Sequence, residues 1–114
     1  MSLFSRTSAA EVKEFAESLA EAIAKRYPPA MDAAETRKVS ANRLTKILED
    51  AFEKAANFQH EKALGWYRKA SLGNDFRWKL KEFGYSERFI ELATEGLVVY
   101  ISRKAESDGK AGKA

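Results

Sequence analysis

Apolar positions recur at three- and four-residue intervals along most of this chain. Val12, Phe15, Leu19, Ala22 and Ile23 form the first stripe, at the spacing that places side chains on one face of an α-helix. Lys13, Glu14, Glu17, Glu21 and Lys25 fall on the opposite face. Ser8 with Glu11 three residues later makes a capping box. Tyr27-Pro28-Pro29 ends the run, because a residue before proline is disfavoured in the helical region. The pattern predicts a helix over 8–26.

Residues 29–39 read as a linker, in which 31–36 can hold a short helical turn. A second stripe begins at Ser40 or Asn42 and runs through Leu44, Ile47, Leu48, Ala51, Phe52, Ala55 and Phe58. No proline or glycine interrupts it before Gly65. The expectation is one long helix to Leu72, about 45 Å at the standard rise. A break at Asn57-Phe58-Gln59-His60 is the alternative. Gly73-Asn74-Asp75 reads as a turn, with Gly73 ending one helix and Asn74 or Asp75 capping the next. A short helix over 76–83 follows, stopped by Gly84. Ser86 caps a last helix that buries Phe89, Ile90, Ala93 and Leu97 together with Tyr100 and Ile101. Residues 97–101 also have strand propensity. A strand there would need a partner from a second subunit, and the helical reading is preferred.

The expected fold is therefore all-α: a four-helix bundle-like single domain over 8–104, with the long central helix as its spine. Residues 1–7 read as a disordered or cloning-derived N-terminus and 105–114 as a disordered tail. A spine that long exceeds what its neighbours can cover, so a homodimer is expected.

Composition narrows the function classes. The 114 residues include no cysteine, which removes disulfides, thiolate metal sites and cysteine nucleophiles and fits a reducing, cytoplasmic setting. No apolar run is long enough to span a bilayer, and early glutamates argue against a secretory signal. A net charge of +3 permits an anionic partner without demanding one.

The densest chemistry lies over 62–85. Both tryptophans, Trp66 and Trp78, stand there with Tyr67, Phe76, Phe83 and Tyr85. Lys62, Arg68, Lys69, Arg77, Lys79 and Lys81 face only Asp75 and Glu82. Phe76, Leu80 and Phe83 share one helical face and read as core. Trp78 is about 200° around the helix from Phe76 and needs a different cover. Large aromatics serve cores and subunit interfaces more often than they bind anions, so packing is the first reading of both tryptophans. Binding through interleaved rings and cations is the second. A helix-turn-helix forced onto 59–83 would aim large rings at bases, where small polar and arginine contacts are usual. An interfacial membrane helix would be longer and have one clean apolar face.

Nothing else carries chemistry. His60 is the lone histidine, and Asn57 stands where a Glu-x-x-His metal motif would need its glutamate. The carboxylates line solvated helix faces, and no glycine-rich phosphate loop is present. No metal, cofactor or catalytic residue is assigned. The sequence points to a non-catalytic, homodimeric interaction or regulatory module. Its partner-facing residues would be Trp66, Arg68, Lys69, Arg77, Trp78 and Lys81, and its partner an acidic protein. A nucleic-acid-binding protein using 62–85 is the alternative.

Overall fold

In the computed structural model the described residues are 7–34 and 40–113, with side chains described over 7–33 and 40–103. They form five helices: α1 (Ala9–Arg26), α2 (Pro29–Ala34), α3 (Ala41–Glu61), α4 (Trp66–Phe83) and α5 (Glu87–Lys113). There is no strand among them, and the 97–101 stretch is helical. None of these helices is long and apolar enough to cross a membrane. The principal packing pairs are α1 with α4, α4 with α5, α5 with α3 and α3 with α1.

The helix starts follow side-chain capping. Ser8 accepts from the Glu11 N–H while the Glu11 carboxylate accepts from the Ser8 N–H. Ser40 caps α3 through the Arg43 N–H, and Ser86 caps α5 through the Phe89 N–H. Each satisfies a donor that the first helical turn leaves without a partner. The core joins Val12, Ala16, Leu19 and Ile23 of α1 to Ile47, Ala51 and Ala55 of α3, Leu72, Phe76 and Leu80 of α4, and Ile90, Ala93, Leu97 and Ile101 of α5. Phe15 stacks on Phe58 at 3.9 Å, and Arg26 pairs with Asp50 at 2.7 Å, tying α1 to α3 on its exposed side.

Two boundaries differ from expectation, and both move the candidate site. The long helix does not reach Leu72. It stops at Glu61 with a tight cap: the Leu64 N–H reaches back to the Gln59 carbonyl and the Ala63 N–H to the His60 carbonyl. The residue in the left-handed turn is Ala63, at φ 51°, where glycine is usual. Leu64 is buried behind it. The same pair of bonds closes α4, from Tyr85 to Leu80 and from Gly84 to Lys81, with Gly84 at φ 97°. One cap uses glycine and was visible in the sequence. The other uses alanine and was not. Alanine in this region is strained by its Cβ, so Ala63→Gly should stabilise the fold by about 0.5–1 kcal/mol. Chemical denaturation checks this, and a loss of stability would mean that the cap is not held at a positive φ.

The second difference is at Gly73. It does not end a helix: α4 runs through Gly73-Asn74-Asp75 without a turn. Gly73 is buried, and a Cβ there would come within 3.1 Å of Val98 Cγ2 on α5. Its small size sets how closely α4 and α5 pack. Gly96 does the same on the other side of α5, where a Cβ would lie 2.8 Å from the Phe52 ring. At the C-terminus, α5 continues to Lys113 across most of the stretch read as a tail. At the other end, Thr7 is buried, and residues 1–6 of the expected disordered N-terminus lie outside the described residues.

Candidate functional site on the outer face of α4

A continuous α4 redistributes the basic and aromatic residues. At 100° per residue its inner face holds Leu72, Gly73, Phe76 and Leu80, all buried. Its outer face spans an arc of about 120° and holds, in angular order, Trp66, Arg77, Ala70, Lys81, Asn74, Tyr67 and Trp78. All seven are exposed. Trp66 is 79% exposed, Tyr67 65% and Trp78 59%. Such values are far from those of large rings that serve a core. The two tryptophans stand about 18 Å apart along the axis, Trp66 at the first residue of the helix and Trp78 in its second half.

The rings are arranged by their neighbours. Trp66 meets Tyr67 edge-on, with centroids 6.3 Å apart and planes at 84°. The Arg68 guanidinium lies 5.6 Å from the Tyr67 centroid, and the Lys81 ammonium lies 5.5 Å from the Trp78 centroid. Exposed contacts of this kind contribute about 0.5–1 kcal/mol each. Trp66 also edges a hollow between α4 and α5, shared with Lys69, Ala70, Val98 and Ile101.

The arc itself carries no carboxylate. Acids begin beyond Trp78. Glu82 is held by Lys79 at 2.9 Å, which lowers the Glu82 carboxyl and raises the Lys79 ammonium through their hydrogen bond. Asp75 is half-buried beside Lys13 and Glu17 of α1, and burial pushes its carboxyl up. The cations of the arc are Arg77 and Lys81.

Of the six residues singled out from the sequence, the helix therefore brings four together: Trp66, Arg77, Trp78 and Lys81. Arg68 and Lys69 lie about 200° and 300° around from Trp66. Both are half-buried and lie off the arc, Lys69 lining the α4–α5 hollow and Arg68 reaching the Tyr67 ring. Tyr67, Ala70 and Asn74 complete the face. Sequence reasoning passed over them because a turn at Gly73 would put 66–72 and 76–83 on separate helices. The signal was the recurrence Trp66-Ala70-Asn74-Arg77-Trp78-Lys81 itself, which is a helical stripe once no turn intervenes. His60 lies exposed near the end of α3, away from this stripe in the sequence. No group of three or more metal-ligating side chains occurs among the described residues. Comparison with protein families, with curated proteins and with solved structures gives no match to this chain.

Proposed function

We propose that this chain is a non-catalytic helical interaction module that docks an acidic protein segment on the outer face of α4. One observation carries the reading. Both tryptophans stand in solvent on one helical stripe, beside Arg77 and Lys81, with no acid between them. Large rings this exposed, framing one helix face with cations between them, fit an interaction surface in a soluble domain. Tryptophan and arginine are the residues that dominate binding energy where two proteins meet. The four long helices supply the scaffold, a bundle closed as the ring α1–α4–α5–α3, and the buried side of α4 holds the stripe rigid.

The charge pattern favours a protein over a nucleic acid. Only two cations lie in the arc, and beyond Trp78 the acids Glu82 and Glu17 are already paired with Lys79 and Lys13. Phosphate-backbone binding scales with the number of phosphates neutralised, and two cations neutralise few. An acidic segment with its own apolar residues meets rings and cations in the proportions present.

Display of a random peptide library against the folded chain tests this. The two tryptophans are the only ones in the protein, so their emission reports on the face directly. Selected peptides should combine Asp or Glu with apolar residues and shift that emission to the blue on binding. Trp66→Ala, Trp78→Ala and the pair Arg77→Glu with Lys81→Glu should each weaken binding by about tenfold or more. Peptides without acidic residues, or peptides indifferent to these changes, would overturn the reading. Binding of single-stranded oligonucleotide that falls steeply with salt would replace it with nucleic-acid recognition.

A further inference from the structure

A second apolar surface lies on a different side of the molecule. Between α3 and α5 runs an open groove of about 700 Å³. Leu44, Leu48 and Phe52 form its α3 wall, and Leu92 and Val99 rise from its α5 wall. Leu92 is 56% exposed and Val99 47%. They are seven residues apart, so they lie nearly in line along α5. Between them Gly96 presents no side chain, and Phe52 fills the space a Cβ would need. The result is a hollow beside two protruding apolar side chains on one face.

We infer that this groove is a self-association surface, seating the same face of a second copy of the chain about a two-fold axis. A two-fold interface requires a patch complementary to itself, in which residue i meets j and j meets i. The α3–α5 face meets that requirement twice. In shape, Leu92 and Val99 of one copy are knobs beside the hollow that the other copy offers. In charge, Glu49 stands on the α3 wall and Arg103 on the α5 wall, and no ion pair joins them among the described residues. With the two-fold axis running along the groove, the α3 wall of each copy faces the α5 wall of the other, which would set Glu49 of each towards Arg103 of the other. A purely anionic or purely cationic ligand would meet one favourable and one unfavourable charge in the same groove. No α4 residue lines this groove, although Arg103 also borders the hollow that Trp66 edges, so a dimer formed here would still carry two α4 faces and could bind a paired partner with avidity.

Sedimentation velocity from low to high micromolar concentration tests the inference. The wild-type chain should show a reversible monomer–dimer equilibrium. Leu92→Glu and Val99→Glu should each leave only monomer with an unchanged circular dichroism spectrum, since both side chains are exposed. Glu49→Arg and Arg103→Glu should each weaken the dimer by about threefold to tenfold, and the double exchange Glu49→Arg with Arg103→Glu should restore it to within about twofold. Trp66→Ala and Trp78→Ala should leave the equilibrium unmoved, which separates this surface from the α4 face. The proposal is overturned by a monomer at every concentration, by a dimer that the tryptophan changes dissociate, or by a double exchange that adds its losses. Saturable uptake of dodecanoate by a wild-type chain that stays monomeric would assign the groove to an amphiphile instead.

Discussion

Phe76→Ala should remove about 3–5 kcal/mol of folding stability, whereas Trp78→Ala, two residues away, should change it by about 1 kcal/mol or less. Phe76 has no solvent exposure and is the largest fully buried side chain of the core. It points inward from α4, which packs between α1 and α5. Its loss combines the transfer free energy of the ring with a cavity that four helices can only partly close. A domain of this size is stable by about 5–15 kcal/mol, so the variant would sit near the edge of folding. Trp78 faces water, and its removal strips no core contact. Urea unfolding followed by circular dichroism measures both. The contrast tests the rotation of α4 directly. If Trp78→Ala cost as much as Phe76→Ala, the outer stripe would be buried against something, and the proposed docking face would vanish with it.

That rotation is also where sequence and structure diverge. Local signals with their own chemistry were legible. Ser8, Ser40 and Ser86 announced three helix starts, Pro28 ended α1, and Gly84 ended α4. The core face of Phe76, Leu80 and Phe83 and that of Phe89, Ile90, Ala93 and Leu97 followed from spacing alone. The misplaced boundary around 61–75 has a specific cause. Sequence reading assigns the left-handed cap to glycine because glycine has no Cβ to strain. Here the chain uses Ala63 for the cap and spends Gly73 on the contact with Val98. Those are tertiary demands that no local window contains. The boundary matters more to the site than to the fold. The first reading placed Trp66 and Trp78 on different helices and covered them by packing. One helix aligns them in solvent with Arg77 and Lys81. The α3–α5 groove had a fainter trace, Leu92 and Val99 lying outside the stripe that buries Phe89, Ala93 and Leu97.

Tyr85→Phe should cost about 1–3 kcal/mol near neutral pH, and the cost should shrink at alkaline pH. Tyr85 follows the α4 cap, and its hydroxyl donates to the Tyr27 carbonyl at the end of α1. The Tyr27 hydroxyl donates to Asp32 of α2, whose other oxygen accepts from the Ser86 N–H at 2.7 Å. Rings of Tyr27, Tyr85 and Phe89 close over this joint, with Tyr85 and Phe89 centroids 4.6 Å apart. The joint fixes the α4–α5 turn against α1 and so sets how α4 presents its outer face. Removing the Tyr85 hydroxyl leaves a buried carbonyl without its donor, which is the expensive way to lose a hydrogen bond. The pH dependence follows from the same burial. Burial first, then the neighbouring Asp32 and Tyr27, pushes the Tyr85 phenol well above its ordinary value. The folded state therefore favours the neutral phenol. Its contribution is complete below the unfolded value of about 10 and is lost as pH rises from there towards the folded value, by up to about 1.36 kcal/mol per pH unit. Burial raises Tyr27 as well, and the carboxylate of Glu53 raises Tyr100, but both remain in the variant. The difference between wild type and Tyr85→Phe reports the Tyr85 phenol together with its smaller coupling to Tyr27. It should be constant from about pH 7 to 9 and narrow above about pH 10. Parallel stability curves through that range would mean that the Tyr85 phenol ionises as easily in the folded chain as in the unfolded one, and the joint would not be the closed contact that orients α4.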